Sequence, residues 1–207
     1  QWHNDWRRKS RMPEPRIIIF VKAPRPGFVK TRLAATIGNE AACAAYCQLT
    51  ENVLTHLAPL PHLEIRFTPD DAEKEITQWL RDDWTSRPQG NGELGERMHR
   101  AFTEANGPAI IIGSDCPQVE LSDFRTAAKA LQTHDAVIGP ATDGGYWLIG
   151  LNAPYPALFK GIEWSTGGVL QSTLAKADEA GLSVQLLREL GDVDTGADWE
   201  RFMSKPH

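Results

Sequence analysis

Short apolar, β-branched runs alternate with segments whose apolar residues recur at helical spacing, and this alternation limits the possible folds more than any other feature. "RIIIFVK" (16–22) is one such run, closed by the turn "APRPG", and "LEIRFTP" (63–69) alternates as a strand does. "PAIIIGSDCP" (108–117) and "HDAVIGPATDGGYWLIGL" (134–151) each send a strand into a loop, and "SVQLL" (183–187) reads as a short last strand. Helical spacing runs from Lys30 to about Leu57 with an interruption at Gly38, and again over 71–80, 93–105, 121–132 and about 167–180. Strands alternating with helices predict a largely parallel sheet covered on both faces. In open sheets of this kind ligands sit beyond the carboxyl ends of the strands. The unusual residues fall there, after 17–21, 109–113 and 135–140.

With 207 residues the chain suits one domain, which at that size buries roughly 70% of the surface its unfolded chain exposes. That domain is expected over 16–203, with 1–15 an appended segment and Met12 a plausible natural start. The twin arginine near the beginning is followed by "MPEPR" where a signal peptide would have its apolar stretch. A nucleic-acid-binding arm is the rival reading, but a short cationic run without a folded basic face does not make one. Cys43, Cys47 and Cys116 are too few for a disulfide framework, and C-x3-C is neither a redox pair nor a zinc knuckle, so a reducing cytoplasm is expected. The histidines form no ligand motif, and no apolar run approaches the ~20 residues of a membrane helix.

Against 27 Asp+Glu the chain carries 22 Lys+Arg, yet "FVKAPRPGFVKTRL" (20–33) gathers Lys22, Arg25, Lys30 and Arg32 without one acid. A strand runs into a Pro/Gly turn at Gly27 that feeds a helix starting near Val29 to Arg32, which is how backbone N–H groups and cations are brought to a phosphate. The spacing is neither that of a Walker A loop nor that of a dinucleotide fingerprint. "GNGELG" (90–95) does have the fingerprint spacing, but "RDDWTSRPQ" before it reads as a polar loop, so the stretch is expected to be a flexible loop capping the next helix. "GSDCP" ends a strand at Ser114 and Asp115, where a carboxylate suits Mg2+ or simply caps a turn. "GDVDTGADW" (191–199) reads as a loop, with Asp192 and Asp194 on one side of an extended segment; they complete a metal site with Asp115, or Asp194 or Thr195 caps a helix. In "ATDGGYWLIG", Asp143 is a candidate for an acceptor or a metal, and Gly144 and Gly145 suit a close backbone approach. Tyr146 and Trp147 are expected as core or pocket wall. Ser165 and Thr166 are expected either to cap the helix after them or to form a second anion site. Cys116 is expected to be a small buried residue, since no histidine supports it as a nucleophile.

Taken together, "VKAPRPGFVKTRLA", "GELGERM", "GSDCP", "PATDGGYWLIG", "WST" and "DVDTGADW" resemble the bacterial DUF2064 group of glycosyltransferase-like proteins. That group is similar in turn to the nucleotidyltransferases of GT-A fold, including the 2-phospholactate and phosphoenolpyruvate guanylyltransferases. The resemblance spans about 16–202 and implies a single-domain α/β GT-A fold, the Rossmann-like sandwich of nucleotide-diphospho-sugar transferases, with a mostly parallel mixed sheet. It implies that Gly27, Lys30 and Arg32 hold a triphosphate, with Lys22 at the strand end, and that Asn91 and Gly92 approach the base and ribose. Asp115 matches the metal-binding aspartate, and Asp192 and Asp194 the later acidic pair. Sugar-nucleotide pyrophosphorylases carry G-x-G-T-R followed by P-K, so "GFVKTRL" does not transfer their substrates. The function expected is nucleotidyl transfer from an NTP to a small anionic acceptor, with Mg2+ or Mn2+ and release of pyrophosphate. The alternatives are a glycosyltransferase using a nucleotide sugar, and a non-catalytic nucleotide-binding domain, which three acidic positions beside a cationic loop disfavour. No nucleic-acid or membrane partner is expected, and the oligomeric state is left open.

Overall fold

The computed structural model describes residues 13–81 and 83–204. Its strands are β1 (Arg16–Lys22), β2 (Glu64–Thr68), β3 (Thr85–Pro88), β4 (Ala109–Ile112), β5 (Ala136–Pro140), β6 (Tyr146–Leu151) and β7 (Val184–Leu186). They form one sheet in the order β3-β2-β1-β4-β6-β5-β7. The pairs β1–β2, β1–β4, β2–β3 and β5–β7 are parallel, whereas β6 lies antiparallel to both β4 and β5. This is the largely parallel sheet that the alternation predicts, and the mixed one that the resemblance implies.

Among the described residues the α-helices are α1 (Thr31–Ile37), α2 (Asn39–Leu57), α3 (Glu73–Ile76), α4 (Leu94–Ala105), α5 (Leu121–Ala130), α6 (Val169–Glu179) and, after the last strand, α7 (Gly196–Met203). The period-2 alternation of β1 divides the core. Ile17, Ile19 and Val21 join Val53, Leu54 and Leu57 of α2 and Phe124 of α5 on one face. Ile18 joins Met98 and Phe102 of α4 and Ala177 of α6 on the other. A helical stripe on each side of an alternating strand gives three layers, and the central strands disappear from solvent on both faces. The predicted break at Gly38 is real, with φ 87° where the chain leaves α1 for α2.

Three local expectations are corrected. "TSRP" within the presumed polar loop is β3, an edge strand paired only with β2 and largely exposed, so it carries none of the apolar pattern that marks the others. "GNGELG" therefore does follow a strand. Part of "GDVDTGADW" is not loop but the start of α7, and of the two capping candidates it is Thr195 that caps it, in a reciprocal pair with Asp198. The helix after "WST" begins only at Val169 with Gly168 as its cap, so neither Ser165 nor Thr166 caps it. The expected appended segment, 1–15, lies outside the described residues as far as residue 12.

Candidate functional site

β1 and β4 are neighbours from which the chain departs to opposite sides, β1 leading towards β2 and β4 towards β6 and β5. The crevice beyond the carboxyl ends of such a pair is where α/β sheets bind ligands. Lys30 and Asp115 both reach it. The turn after β1 passes Gly27 at φ 81° and brings Lys30 to the cap of α1 with φ 48° and ψ 46°, a left-handed conformation uncommon for a side-chain-bearing residue. From there the Lys30 ammonium donates to Asp115 Oδ2 at 2.9 Å and to Asp194 Oδ1 at 3.4 Å, with 3% of its side chain exposed. Arg32 Nε lies 3.1 Å from Asp194 Oδ2.

The loop carrying Asp194 is held in place from both sides. Val193 N–H donates to the Asp115 carbonyl at 3.2 Å, and the Cys116 thiol donates to the Gly191 carbonyl at 3.5 Å. At the other side the first residue of α7, Gly196, packs against Thr36 of α1. Two segments distant in sequence, those of Asp115 and Asp194, thus converge on one cation. Burial works against the Lys30 charge, but Asp115, Asp194 and Asp192 outweigh it and hold its pKa above that of an ordinary lysine. At Asp192 the surroundings disfavour the charged form instead. Burial, then the neighbouring Asp115 and Asp143, push its pKa up. Cys116 is buried and its pKa is pushed up to about 12, chiefly by that burial, which makes it a packed side chain and not a nucleophile.

Other expected residues form the rim. Asp143 accepts the Gly145 N–H at 2.9 Å in a local turn, and Gly144, at φ 88°, runs so close to the Gly167 carbonyl that a Cβ would overlap it. Thr166 donates to the Glu163 carbonyl at 2.8 Å and accepts weakly from Gly168 N–H at 3.4 Å; Ser165 is exposed at φ 63°. Trp164 packs so close to Gly95 of α4 that a Cβ there would strike its indole. Close packing therefore links "GELG" to "WSTGG" and "WSTGG" to "DGG", and charge links Asp143 to Asp192. Asn91 and Gly92 are exposed in the β3–α4 loop, and among the described residues no hydrogen bond or ion pair joins them to the Lys30 cluster. Lys22 enters through its backbone alone: its N–H donates to Tyr46 Oη at 2.8 Å and its side chain is in no ion pair among the described residues. Arg25 turns away to Glu75 and Asp71, at 2.6 and 3.2 Å.

Sequence reasoning missed Tyr46. Its hydroxyl bridges Lys22 at the end of β1 and Ser114 Oγ at the end of β4, 3.1 Å away, and burial raises its pKa to about 12. A lone tyrosine in an Ala-rich helix was the available signal. A cavity of about 1080 Å³, lined by Arg16, Leu60, His62, Glu64 and Phe124 among others, opens at the amino ends of the strands and shares no residue with this site.

For a divalent cation, Asp115, Asp192 and Asp194 are oxygen donors of the right hardness. The Asp192 pKa is raised by burial first and by Asp115 and Asp143 second, and a bound cation would offset the repulsion from those carboxylates. Among the described residues no three acidic, histidine or cysteine side chains are gathered tightly enough to hold one as they stand, because the Lys30 ammonium lies between Asp115 and Asp194. The donors fit the ion in kind, and their final approach requires Lys30 to move.

A family model described as "Uncharacterized protein conserved in bacteria (DUF2064)" matches residues 53–166. The chain belongs to this family. A candidate nucleotide-diphospho-sugar transferase from Desulfovibrio desulfuricans G20 is 37% identical, with 93% of this chain covering 87% of that one at a TM-score of 0.86. More distant structures share the fold alone. The inositol-1-phosphate CTP transferase from T. maritima is 14% identical, covering 90% of this chain and 92% of its own at a TM-score of 0.57. Rv0371C from Mycobacterium tuberculosis, in complex with manganese, is 13% identical, covering 93% and 100% at 0.53. No curated sequence is detectably similar to the chain. The DUF2064 membership and the GT-A-like sheet agree with the resemblance read from the motifs. No helix among the described residues is long and apolar enough to cross a membrane.

Proposed function

We propose that this DUF2064 protein is a transferase that takes a nucleotide at the carboxyl ends of β1 and β4. The observation that carries the reading is the meeting of Lys30 and Arg32 with Asp115 and Asp194 at that switch point. In the first reading an ionised oxygen of a small anionic acceptor attacks the α-phosphorus of an NTP. The bond to the β-phosphate oxygen breaks, and pyrophosphate leaves with that electron pair. Such a reaction needs positioning and charge neutralisation more than proton transfer. Arg32 pairs through Nε with Asp194, yet its side chain is 70% exposed and so remains open to a phosphate from solvent. Lys30 is the second cation for the leaving group once it parts from the carboxylates.

Asp115, with Asp192 or Asp194, would hold Mg2+ or Mn2+, which when bound supplies neutralisation of phosphate oxygens. Asp143, Gly144, Gly145, Ser165 and Thr166 border the acceptor side, and Asn91 and Gly92 the base side; Lys22 and Gly27 shape the turn. A second reading, glycosyl transfer from a nucleotide sugar, is favoured by the description of the Desulfovibrio relative. It would use the same cations on a leaving nucleoside diphosphate. Three free thiols suit a reducing cytoplasm.

The test is a thermal-melt panel of NTPs and nucleotide sugars with and without Mg2+ or Mn2+. A ligand at 100 times its Kd adds ~2.7 kcal/mol, roughly 5–10 °C at this chain length. Metal-dependent stabilisation by one NTP supports nucleotidyl transfer, and stabilisation by a nucleotide sugar alone supports glycosyl transfer. In Asp115→Asn the metal-dependent part of the shift is lost while the unliganded Tm stays within a few degrees. A flat panel with the wild-type protein would sink both readings.

A further inference from the structure

Two arginines of α4 that the reaction above does not use shape the β3–α4 loop. Arg100 Nη1 donates to the Gln89 carbonyl at 2.6 Å and its Nη2 to the Asn91 carbonyl at 2.8 Å. Arg97 Nε donates to the Gly92 carbonyl at 2.7 Å, and its Nη1 lies within 3.4 Å of Thr68 Oγ1 and 3.5 Å of Gln89 Oε1. Gln89 is itself an anchor: buried, it donates through its side-chain amide to the Val21 and Arg66 carbonyls, both at 3.0 Å. The loop is drawn tight against the helix. Gly90 and Gly92 have φ 78° and 104°, and a Cβ would overlap the Arg100 guanidinium at the first and the Glu96 carboxylate at the second.

Peptide geometry then decides what the loop shows to solvent. In a trans peptide the C=O and the following N–H point in opposite directions. Since the Asn91 carbonyl turns in to Arg100, the Gly92 N–H turns out. The flanking amides are taken, Gly90 N–H by Asp70 at 3.1 Å and Glu93 N–H by Glu96 at 2.9 Å. What remains without a protein partner among the described residues is the Gly92 N–H, the Gly90–Asn91 peptide and the Asn91 carboxamide, all on exposed residues or beside them. A helix-terminal phosphate site is ruled out here, because Glu93 and Glu96 already occupy the start of α4 in a capping box. β3 also lies two strands from β1, about 10 Å at the usual ~4.8 Å spacing, too far for one phosphate to touch both loops.

We propose that Arg97 and Arg100 are positioning residues that fix the Gly90–Gly92 loop against α4 so that its outward groups form a neutral hydrogen-bonding edge for the base of a bound nucleotide. This rests on the nucleotide reading above. The guanidinium forks fix the carbonyls, and the outward N–H and amide groups, donors next to one carbonyl, complement the edge of a heterocycle.

The test separates the two ends of the ligand. Wild type, Arg97→Lys, Arg100→Lys and the double variant are titrated calorimetrically with ATP, GTP, CTP, UTP and inorganic tripolyphosphate in Mg2+. Lysine keeps the charge and loses the fork. The expected result is a loss of about tenfold per arginine in affinity for the nucleotide that wild type binds, with tripolyphosphate bound as before. Unchanged nucleotide affinity overturns the role of the arginines and leaves the nucleotide reading standing. Parallel loss of tripolyphosphate also overturns it, since a general disturbance of the fold is then the cause. If wild type binds tripolyphosphate and none of the four nucleotides, the nucleotide reading falls and this inference with it.

Discussion

Lys30 concentrates the tension of the site in one residue. A left-handed backbone costs a side-chain-bearing residue roughly 1–2 kcal/mol, and burial of an ammonium costs more, so the conformation persists only because Asp115 and Asp194 meet it. Lys30→Met leaves two carboxylates facing each other beside Asp192. Removing one member of a buried pair costs about 3–5 kcal/mol, and with Asp115 partly exposed to water a loss of about 2 kcal/mol, or roughly 4–8 °C in Tm, is expected. A melting curve at low ionic strength reads it; an unchanged Tm would show that the pair contributes nothing. Far from the site, Asp135 offers a pH test with a clear sign. Hydrogen bonds from the Ser183 hydroxyl and N–H, at 2.7 and 2.9 Å, with help from Asn152 and Tyr155, lower its pKa from 3.8 to about 2. A depressed carboxyl stabilises the fold above its ordinary pKa, and that contribution disappears as pH falls from about 4 towards 2. Wild type should therefore melt above Asp135→Asn at pH 6, and the two curves should converge on acidification; a gap independent of pH would refute the assignment.

At the scale of elements, loop docking and not helix packing completes the site, and Gly144 tests it. Alanine there meets both a φ of 88° and the Gly167 carbonyl, so a loss of about 3 kcal/mol, roughly 6–12 °C, is expected. Gly145→Ala, which would meet only the Asp143 side chain at 3.2 Å, serves as the contrast and should cost under about 1 kcal/mol. Equal effects would mean that the 143–145 and 165–167 loops do not depend on each other. The central strands were legible because burial on both faces writes itself as β-branched runs. β3 was not, because an edge strand paired on one side needs no apolar residues, and α7 showed only through its cap Thr195, because Asp, Thr and Gly suit a loop equally well. The cationic turn and the acidic positions were legible as residue types. Their direct pairing was not, since it depends on the left-handed turn at Lys30 and on α7 packing against α1. Arg97 and Arg100 look like ordinary polar-face residues of an amphipathic helix until their carbonyl partners are seen.

Across the whole molecule, charge replaces apolar packing along one side of the sheet. Arg66 of β2, 1% exposed, pairs with Glu64 and reaches Glu104 of α4 at 2.7 Å, while Arg16 of β1 and Arg87 of β3 approach Glu64 at 3.4 and 3.9 Å. One buried carboxylate thereby joins three strands, and Arg66 carries the connection to the helix that bears the β3–α4 loop. The polar edge strand is thus attached without an apolar face of its own. Arg66→Met strands Glu64 in the interior with only its two longer contacts. Removal of one partner of a buried pair costs about 3–5 kcal/mol, roughly 6–20 °C here. Replacing both, in Arg66→Met with Glu64→Leu, removes the uncompensated charge and should recover most of that loss, as buried pairs exchanged for apolar residues commonly do. If the double variant melts no higher than Arg66→Met, the cost lies in the loss of Arg66's own contacts to α4 and not in the stranded carboxylate. Nucleotide binding separates these further: a fault transmitted through α4 weakens it in both variants, whereas a stranded Glu64 affects the fold and leaves the site intact.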